Sequence, residues 1–438
     1  MIGWGAAVRR GLCAAVLGLA AACGQAPPAK TTYGEKPDLV APRPQAMMKT
    51  KIAPAVGWPA GAAPTAPEGF KVTRFAGGLD HPQWLYVLPN GDVLVAESTG
   101  RQLRGGLTDM MRNWSQSQAG LVGQSPDRIT LLRDANQDGV AEQRFVFLEG
   151  LNQPFGMALL VNALYVANTD ALLRFPYTDG QTRITAIGEQ ILALPRREPD
   201  NGDWTRNILV KLDGTKIYVA VGAAGNIANY GLRAEERRGN ILELNPNGSG
   251  ARVFASGMRN PVGMAWEPVT GALWAAVDER DGLGDDVPPD YMTRVRDGGF
   301  YGWPWTYFGK HRDPRVNHKA PEGLLDRALT PDYALGAHGE ARGLAFYRGG
   351  PFPTRYLGGA FISQSGSWNR SALTGYRVIF VPFANGAPSG PPQPFLTGFV
   401  NEKGQAQGRP TGVVVDPGGA LLVADDTGGS IWRVTATR

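Results

Sequence analysis

Only two cysteines occur in the 438 residues, Cys13 and Cys23, and both lie near the start of the chain. No thiol therefore remains in the body of the protein for a disulfide, a cysteine-zinc site or a cysteine nucleophile. Histidine is equally sparse. The four residues His81, His311, His318 and His338 include no zinc-spaced pair, and neither His-Glu-x-x-His nor Gly-x-Ser-x-Gly occurs. Zinc hydrolysis and serine-esterase chemistry lack their parts. Charge of one sign is not in excess, with 44 Lys and Arg against 39 Asp and Glu and a net +5. The Arg residues are scattered rather than clustered, which argues against nucleic-acid binding. Long amphipathic helical patterns are also missing, so the core must come from strands.

The one extended apolar run, Leu12 to Ala22, follows Arg9 and Arg10. At about eleven residues it is too short to span a bilayer and suits the core of a secretory signal. Ala20, Ala21 and Ala22 lead into Cys23 as in a bacterial lipoprotein signal, although the large aliphatic residue, Leu19, stands four places before the cysteine rather than three. The expectation is a signal over residues 1–22, lipidation at Cys23, and a periplasm-facing protein held to the membrane by lipid alone. Gly24 lacks the Asp that favours inner-membrane retention, which points to the outer membrane; a plain secretory signal would instead give a soluble periplasmic protein. Residues 23–67 are rich in Ala, Pro and Lys and read as a disordered tether. Residues 68–438 read as one domain.

Within that domain one phrase recurs six times: a turn, a short apolar strand, a tight turn and a second apolar strand. The copies are His81 to Glu97, Gln153 to Asn168, Arg206 to Gly222, Asn260 to Glu279, Arg342 to Gln364 and Arg409 to Asp426. Val, Leu, Ile, Tyr and Trp fill the strands, and Pro-Asn-Gly, Asp-Gly and Pro-Gly-Gly supply turns. Such hairpins must bury their faces against one another, which radial stacking achieves without long open edges. The expected fold is all-β, a six-bladed β-propeller of four-stranded antiparallel blades. About 60 residues fall to each blade against the roughly 40–45 of a short propeller repeat, leaving a surplus for loops that build a site on one face.

Polar groups gather at equivalent ends of these repeats: Arg259-Asn260, Asp278 to Asp281, Asp285-Asp286, Arg409 and Asp425-Asp426. Repeat symmetry brings them to the central axis, where carboxylates, Arg and Asn suit a cation beside an anionic cofactor; single Asp residues there can equally cap turns. His338 opens the fifth repeat at an equivalent place, whereas His81 reads as a packed structural residue. Asp134, Asn136, Asp138 and Gly139 match the first half of a calcium loop, but Phe145 stands where an EF-hand needs its bidentate Glu. A β-turn calcium site or a plain Asx turn remains, and the plain turn is the reading preferred.

Arg259-Asn260-Pro261, GGFYGWPW from Gly298 to Trp305, and the dispersed segments GLDHPQWLYVLPNGDVLVAES, GLNQPFGMALL, WTRNILV, FASGMRNPVGMAWEP, GSWNRS and GRPTGVVVDPGGALLVADD resemble the glucose/sorbosone dehydrogenase family. The resemblance runs through nearly the whole domain. It implies a six-bladed propeller that uses pyrroloquinoline quinone and calcium to oxidise a sugar or sugar aldehyde outside the cytoplasm, with electrons passing to an external acceptor. By this resemblance Arg259 polarises a quinone carbonyl, Asn260 hydrogen-bonds the cofactor and Arg409 pairs with a cofactor carboxylate. Arg206 and His338 fall beside further cofactor contacts. Glu279, Arg280 and Asp281 fall on the calcium loop, chiefly through backbone carbonyls, with Asp285 and Asp286 close by.

Three positions depart from the family pattern. Asp203 stands where relatives place the histidine that takes the hydroxyl proton, Ser365 where a histidine is common, and Thr411 where a second Arg can occur. An Asp of ordinary pKa is the weaker base, although shielding by Trp204 can raise it. Three readings follow: a dehydrogenase with Asp203 as proton acceptor and Arg259 as electrophile, a non-catalytic propeller binding carbohydrate or protein, and a calcium-dependent lactonase-type hydrolase.

Overall fold

The computed structural model describes residues 31–45, 50–102, 107–198 and 201–437. The expected signal and Cys23 lie outside the described residues. Six antiparallel sheets follow one another along the chain, and we number them as blades I to VI. Their innermost strands are Pro82–Val87, Met157–Leu160, Arg206–Val210, Asn260–Trp266, Ala341–Phe346 and Pro410–Val415. Each packs against the innermost strand of the next blade, and Pro410–Val415 packs back on Pro82–Val87, so the ring closes. The six repeats expected from the sequence are the two inner strands of the six blades.

The second strands, such as Val93–Glu97, Ile217–Val221 and Leu421–Asp425, are buried at every position. Neighbouring blades cover both of their faces, which is why these segments read as continuous apolar runs. Outer strands are half exposed, as in Arg252–Ser256. Closure is by exchange of ends: Phe70–Ala76 is the outer strand of blade VI and pairs antiparallel with Ser430–Ala436 near the C-terminus.

Two blades carry a fifth strand. Gly299–Phe300 lies parallel to the outer strand of blade III, and Tyr33–Gly34 lies antiparallel to Tyr333–Ala337 of blade IV. The latter corrects the expected disordered tether for its described part. From Tyr33 the chain runs along the propeller as a strap: Arg43 N–H donates to Leu283 O at 2.7 Å, Lys51 N–H to Trp368 O at 3.0 Å, and Val56 N–H to Ala406 O at 2.8 Å. Ala53 is fully buried, and Trp58 packs edge-on against Phe399 and Trp432. Backbone hydrogen bonds to propeller loops and two well-placed apolar residues hold a segment whose composition alone would leave it free.

Asp134 accepts from the N–H groups of Asp138 and Gly139, and Glu142 from that of Ala135. The Asp134, Asp138 and Glu142 oxygens lie within 4.8 Å of one another, in the turn between the third and fourth strands of blade I. The segment is thus an Asx-rich turn at the end of the blade away from the axial cluster described next.

Candidate active site

At one end of the ring the connections entering the inner strands meet the ends of the second strands. Blade III contributes Asp203, just before Arg206–Val210, and blade IV contributes Arg259, Asn260 and Asp278. Arg259 bridges two carboxylates, with one terminal nitrogen 2.7 Å from Asp278 Oδ2 and the other 3.3 Å from Asp203 Oδ1. Asn260 donates to Asp278 Oδ2 at 3.4 Å. Gly222 makes this approach possible, since a Cβ there would lie 2.4 Å from Asp203 Cβ and 2.5 Å from Asn260 Oδ1.

The cluster is only partly satisfied. Asp203 Oδ2, Asn260 Oδ1 and Arg259 Nε are buried without a hydrogen-bond partner. The Asp203 and Arg259 side chains nevertheless keep 15% and 12% of their surface exposed, so the cluster is not wholly sealed from solvent. Burial pushes the Asp203 carboxyl above its ordinary value and outweighs the opposing pull of Arg259. Asp278 is pushed up for the same reason. Burial disfavours the charge on Arg259, but Asp203 and Asp278 more than compensate and hold it protonated. A carboxylate of raised proton affinity beside a fixed guanidinium can accept a proton from a hydroxyl while stabilising developing negative charge.

Other residues expected at the site are brought to this end of the ring but turned to structural work. Fully buried Arg206 curls back to the carbonyls of Asp203 at 2.6 Å, Thr205 at 2.8 Å and Pro195 at 3.0 Å. Arg409, also fully buried, donates to Ser365 O and Gly366 O at 3.3 Å and to Tyr376 Oη at 3.0 Å. Both ring nitrogens of His338 are engaged, Nδ1 at 3.3 Å from Asp281 and Nε2 at 2.8 Å from Gly284 O. The protein thus takes up the terminal nitrogens of both arginines and both ring nitrogens of the histidine, while Arg206 Nε and Arg409 Nε stay buried without a partner. The departures Ser365 and Thr411 stitch backbone, Ser365 Oγ to Pro410 O and Thr411 Oγ1 to Pro82 O.

Several side chains of the expected calcium loop are likewise committed. Glu279 accepts from its neighbour Arg280, whose guanidinium is buried against Pro304 O and Thr306 O. The Asp281 carbonyl already receives Asn226 Nδ2 at 2.9 Å and Arg315 at 2.7 Å, which uses both of its lone pairs. Asp285 and Asp286 turn away to Ser371 and Arg370. The Asp281 carbonyl thus has no lone pair left for a cation in this arrangement, while Asp285 and Asp286 anchor the loop through Ser371 and Arg370.

Two acidic groups escaped the sequence reading. Glu340 opens the inner strand of blade V with a buried Oε2 that makes no hydrogen bond and lies 3.8 Å from Arg342. Asp290 accepts from the N–H groups of Glu279 and Ala341, and burial pushes its carboxyl upward. The place of Glu340, one step before an inner strand like Arg259 and Arg409, was a usable signal; Asp290 lies on a third strand and offered none.

The model of the family described as glucose/sorbosone dehydrogenase matches residues 161–433, more than half of the chain. The chain belongs to this family. An uncharacterized protein of Borreliella burgdorferi is 26% identical over 299 residues, covering 66% of this chain and 77% of that protein. The calcium structure of a Trichoderma reesei enzyme of carbohydrate-active family AA12 superposes with a TM-score of 0.69 at 16% identity, over 88% of this chain and 98% of that one. The holo PQQ domain of a Coprinopsis cinerea pyranose dehydrogenase gives 0.66 at 18% identity, over 88% and 100%. At these identities the structural likeness shows the shared propeller. For this glucose/sorbosone dehydrogenase family member, the axial cluster of blades III and IV is the part of the site that its own geometry leaves open.

Proposed function

We propose that the protein oxidises an aldose or sugar aldehyde, with Asp203 taking the hydroxyl proton and Arg259 stabilising negative charge at the acceptor. The observation that carries this reading is the Asp203–Arg259 pair itself: Oδ1 lies 3.3 Å from a terminal guanidinium nitrogen, while Oδ2 and Nε are each buried without a hydrogen-bond partner. The reacting end of pyrroloquinoline quinone fits these orphaned atoms, with Arg259 and Asn260 as the residues that would hold it. When bound, the quinone supplies the two-electron acceptor. Asp203 holds the proton at Oδ2, and its raised proton affinity makes it a stronger base than an exposed Asp. Asp278 keeps Arg259 from swinging away. Oxidation on the periplasmic side, transfer to an external acceptor and anchoring through Cys23 belong to the same proposal, and no step is assigned to calcium.

The test is titration of the chain from Thr31 onward with pyrroloquinoline quinone, with and without calcium, then an aldose panel with a dye acceptor. Quinone binding with dye reduction, lost in Asp203→Ala and Arg259→Ala, is the expected result. Dye reduction unchanged in Asp203→Ala would remove Asp203 from the mechanism. The sealed state of Arg409 and His338 favours a second reading, a carbohydrate-binding propeller without turnover, and sugar binding without dye reduction under any condition would establish it.

A further inference from the structure

Asp203 and Arg259 come from different blades, so their mutual placement depends on whatever joins the two backbones. Ala223 does so directly. Its carbonyl accepts the Asp203 N–H at 2.9 Å, and its own N–H donates to the Arg259 carbonyl at 2.9 Å. The segment around Ala223 is packed without slack. A Cβ on Gly202 would lie 2.3 Å from the Ala224 carbonyl oxygen, and Gly202 sits at φ +62°. The next two N–H groups, of Ala224 and Gly225, point at one buried carboxylate: Glu235 Oε2 accepts the first at 2.7 Å and Oε1 the second at 2.9 Å.

Glu235 ends a short helical turn, Leu232–Glu235, in the loop between the second and third strands of blade III, and is 8% exposed. Three residues on, Arg238 donates to Asn201 O at 3.0 Å and to Pro195 O at 3.0 Å, which fixes the other approach to Asp203. The pair thus grips both sides of the site backbone. Burying a carboxylate is costly even where two backbone N–H groups and the charge of Arg238 partly offset it. Here desolvation pushes the Glu235 carboxyl up to about 7, so the cost is visible.

We propose that Glu235 is a positioning residue for the Asp203–Arg259 pair, holding the 223–225 segment that splints the two backbones together. Its meaning for oxidation rests on the function proposed above; the splint does not.

The experiment therefore reads the pair without substrate or cofactor. Infrared difference spectra, wild type against Asp203→Asn, follow the Asp203 carboxyl through a pH titration. Arg259→Gln should raise the Asp203 midpoint, because a neighbouring cation is removed. In a Glu235→Gln background the same replacement should raise it by no more than about half as much, the coupling between the two having weakened. An equal rise in both backgrounds overturns the proposal. Glu235→Ala should weaken the coupling further; if that variant does not fold, Glu235→Gln, which keeps one acceptor oxygen, carries the test. Asp425→Asn serves as a control for general loss of stability and should leave the coupling intact. Equal loss of coupling there would overturn the splint. Failure of dye reduction in every preparation, with the coupling responding as expected, would sink the oxidoreductase reading and leave the splint standing.

Discussion

Arg259 and Arg409 stand at equivalent places, each one residue before the inner strand of its blade, yet the two halves of the ring treat them in opposite ways. In blades III and IV the guanidinium places its two terminal nitrogens on carboxylates, and the side chain keeps 12% of its surface exposed. In blades V and VI it is closed off by backbone carbonyls and Tyr376, and the strap lies over the closure. Ala53 N–H reaches Tyr376 Oη at 3.3 Å, and Trp58 Nε1 donates to Asp425 Oδ2 at 2.6 Å, while Asp425 Oδ1 accepts the Arg409 N–H at 2.7 Å. Repeat symmetry brings similar chemistry to similar positions. Whether a group then serves a site or the fold depends on how much of its hydrogen-bonding capacity the chain itself consumes.

The largest effects that sharpen this contrast lie on the open side. Arg259→Ala should lower dye-linked oxidation by about 10²–10³-fold, the usual cost of removing one preorganised charge from a developing anion. Asp203→Ala should cost about 10²–10⁴-fold by removing the base. Steady-state kinetics check both, and a loss under tenfold in either would move the chemistry away from this pair. On the closed side the expected effect is on folding. Arg409→Ala should lower unfolding free energy in denaturant titration by about 2–3 kcal/mol, because it takes the guanidinium donor away from two buried carbonyls. If Arg409→Ala instead kept full stability and abolished quinone binding, the distinction between the two halves would collapse.

A smaller effect separates the strap from a mere tether. Trp58→Phe retains aromatic packing against Phe399 and Trp432 but removes the donor to Asp425, and should cost about 1–2 kcal/mol. Limited proteolysis should then cut more readily between Lys51 and Pro67. Unchanged stability and protection would mean that the strap contributes nothing to the closed side.

These contrasts also mark how far the sequence could be read. The two inner strands of every blade were legible because neighbouring blades bury them on both faces, which forces runs such as Val93–Val95 and Leu421–Ala424 to be apolar throughout. Outer strands such as Glu189–Ala193 are largely exposed and carry no comparable pattern. Arg259 and Asn260 were legible from their positions in the repeat, whereas Asp203 was singled out by the family resemblance. That Arg206, Arg409 and His338 are sealed was not, since it depends on carbonyls of Pro195, Ser365, Gly366 and Gly284 that any residue could supply. The strap was misread because it is held by backbone hydrogen bonds and two side chains rather than by composition.

The least pronounced expected effect is a pH dependence of stability, and its sign follows from where protons are kept. Burial pushes Glu235 to about 7 and Asp425 to about 6, the latter despite the indole donors Trp432 and Trp58 and two backbone N–H groups. Each therefore retains a proton in the folded chain after the unfolded carboxyl, near ~4, has lost it. The folded state binds more protons than the unfolded one across that interval, so this stability is full below ~4 and is lost as pH rises through ~6–7. The two axial histidines act in the same direction. Burial lowers His338 and His81, but hydrogen bonds and charge from Asp281 and Asp426 respectively prevail and raise both. Asp313 opposes them on the acid side, because Arg315 overcomes its burial and lowers its carboxyl, a contribution that is lost as pH falls below ~4. Melting temperature should accordingly peak near pH ~4–5 and fall by a few degrees toward pH ~8, and Glu235→Gln, which cannot ionise, should flatten the fall. Because Glu235 belongs to the open half and Asp425 to the closed one, a fall that Asp425→Asn flattens and Glu235→Gln does not would assign the pH sensitivity to the strap side of the ring rather than to the splint beneath Asp203.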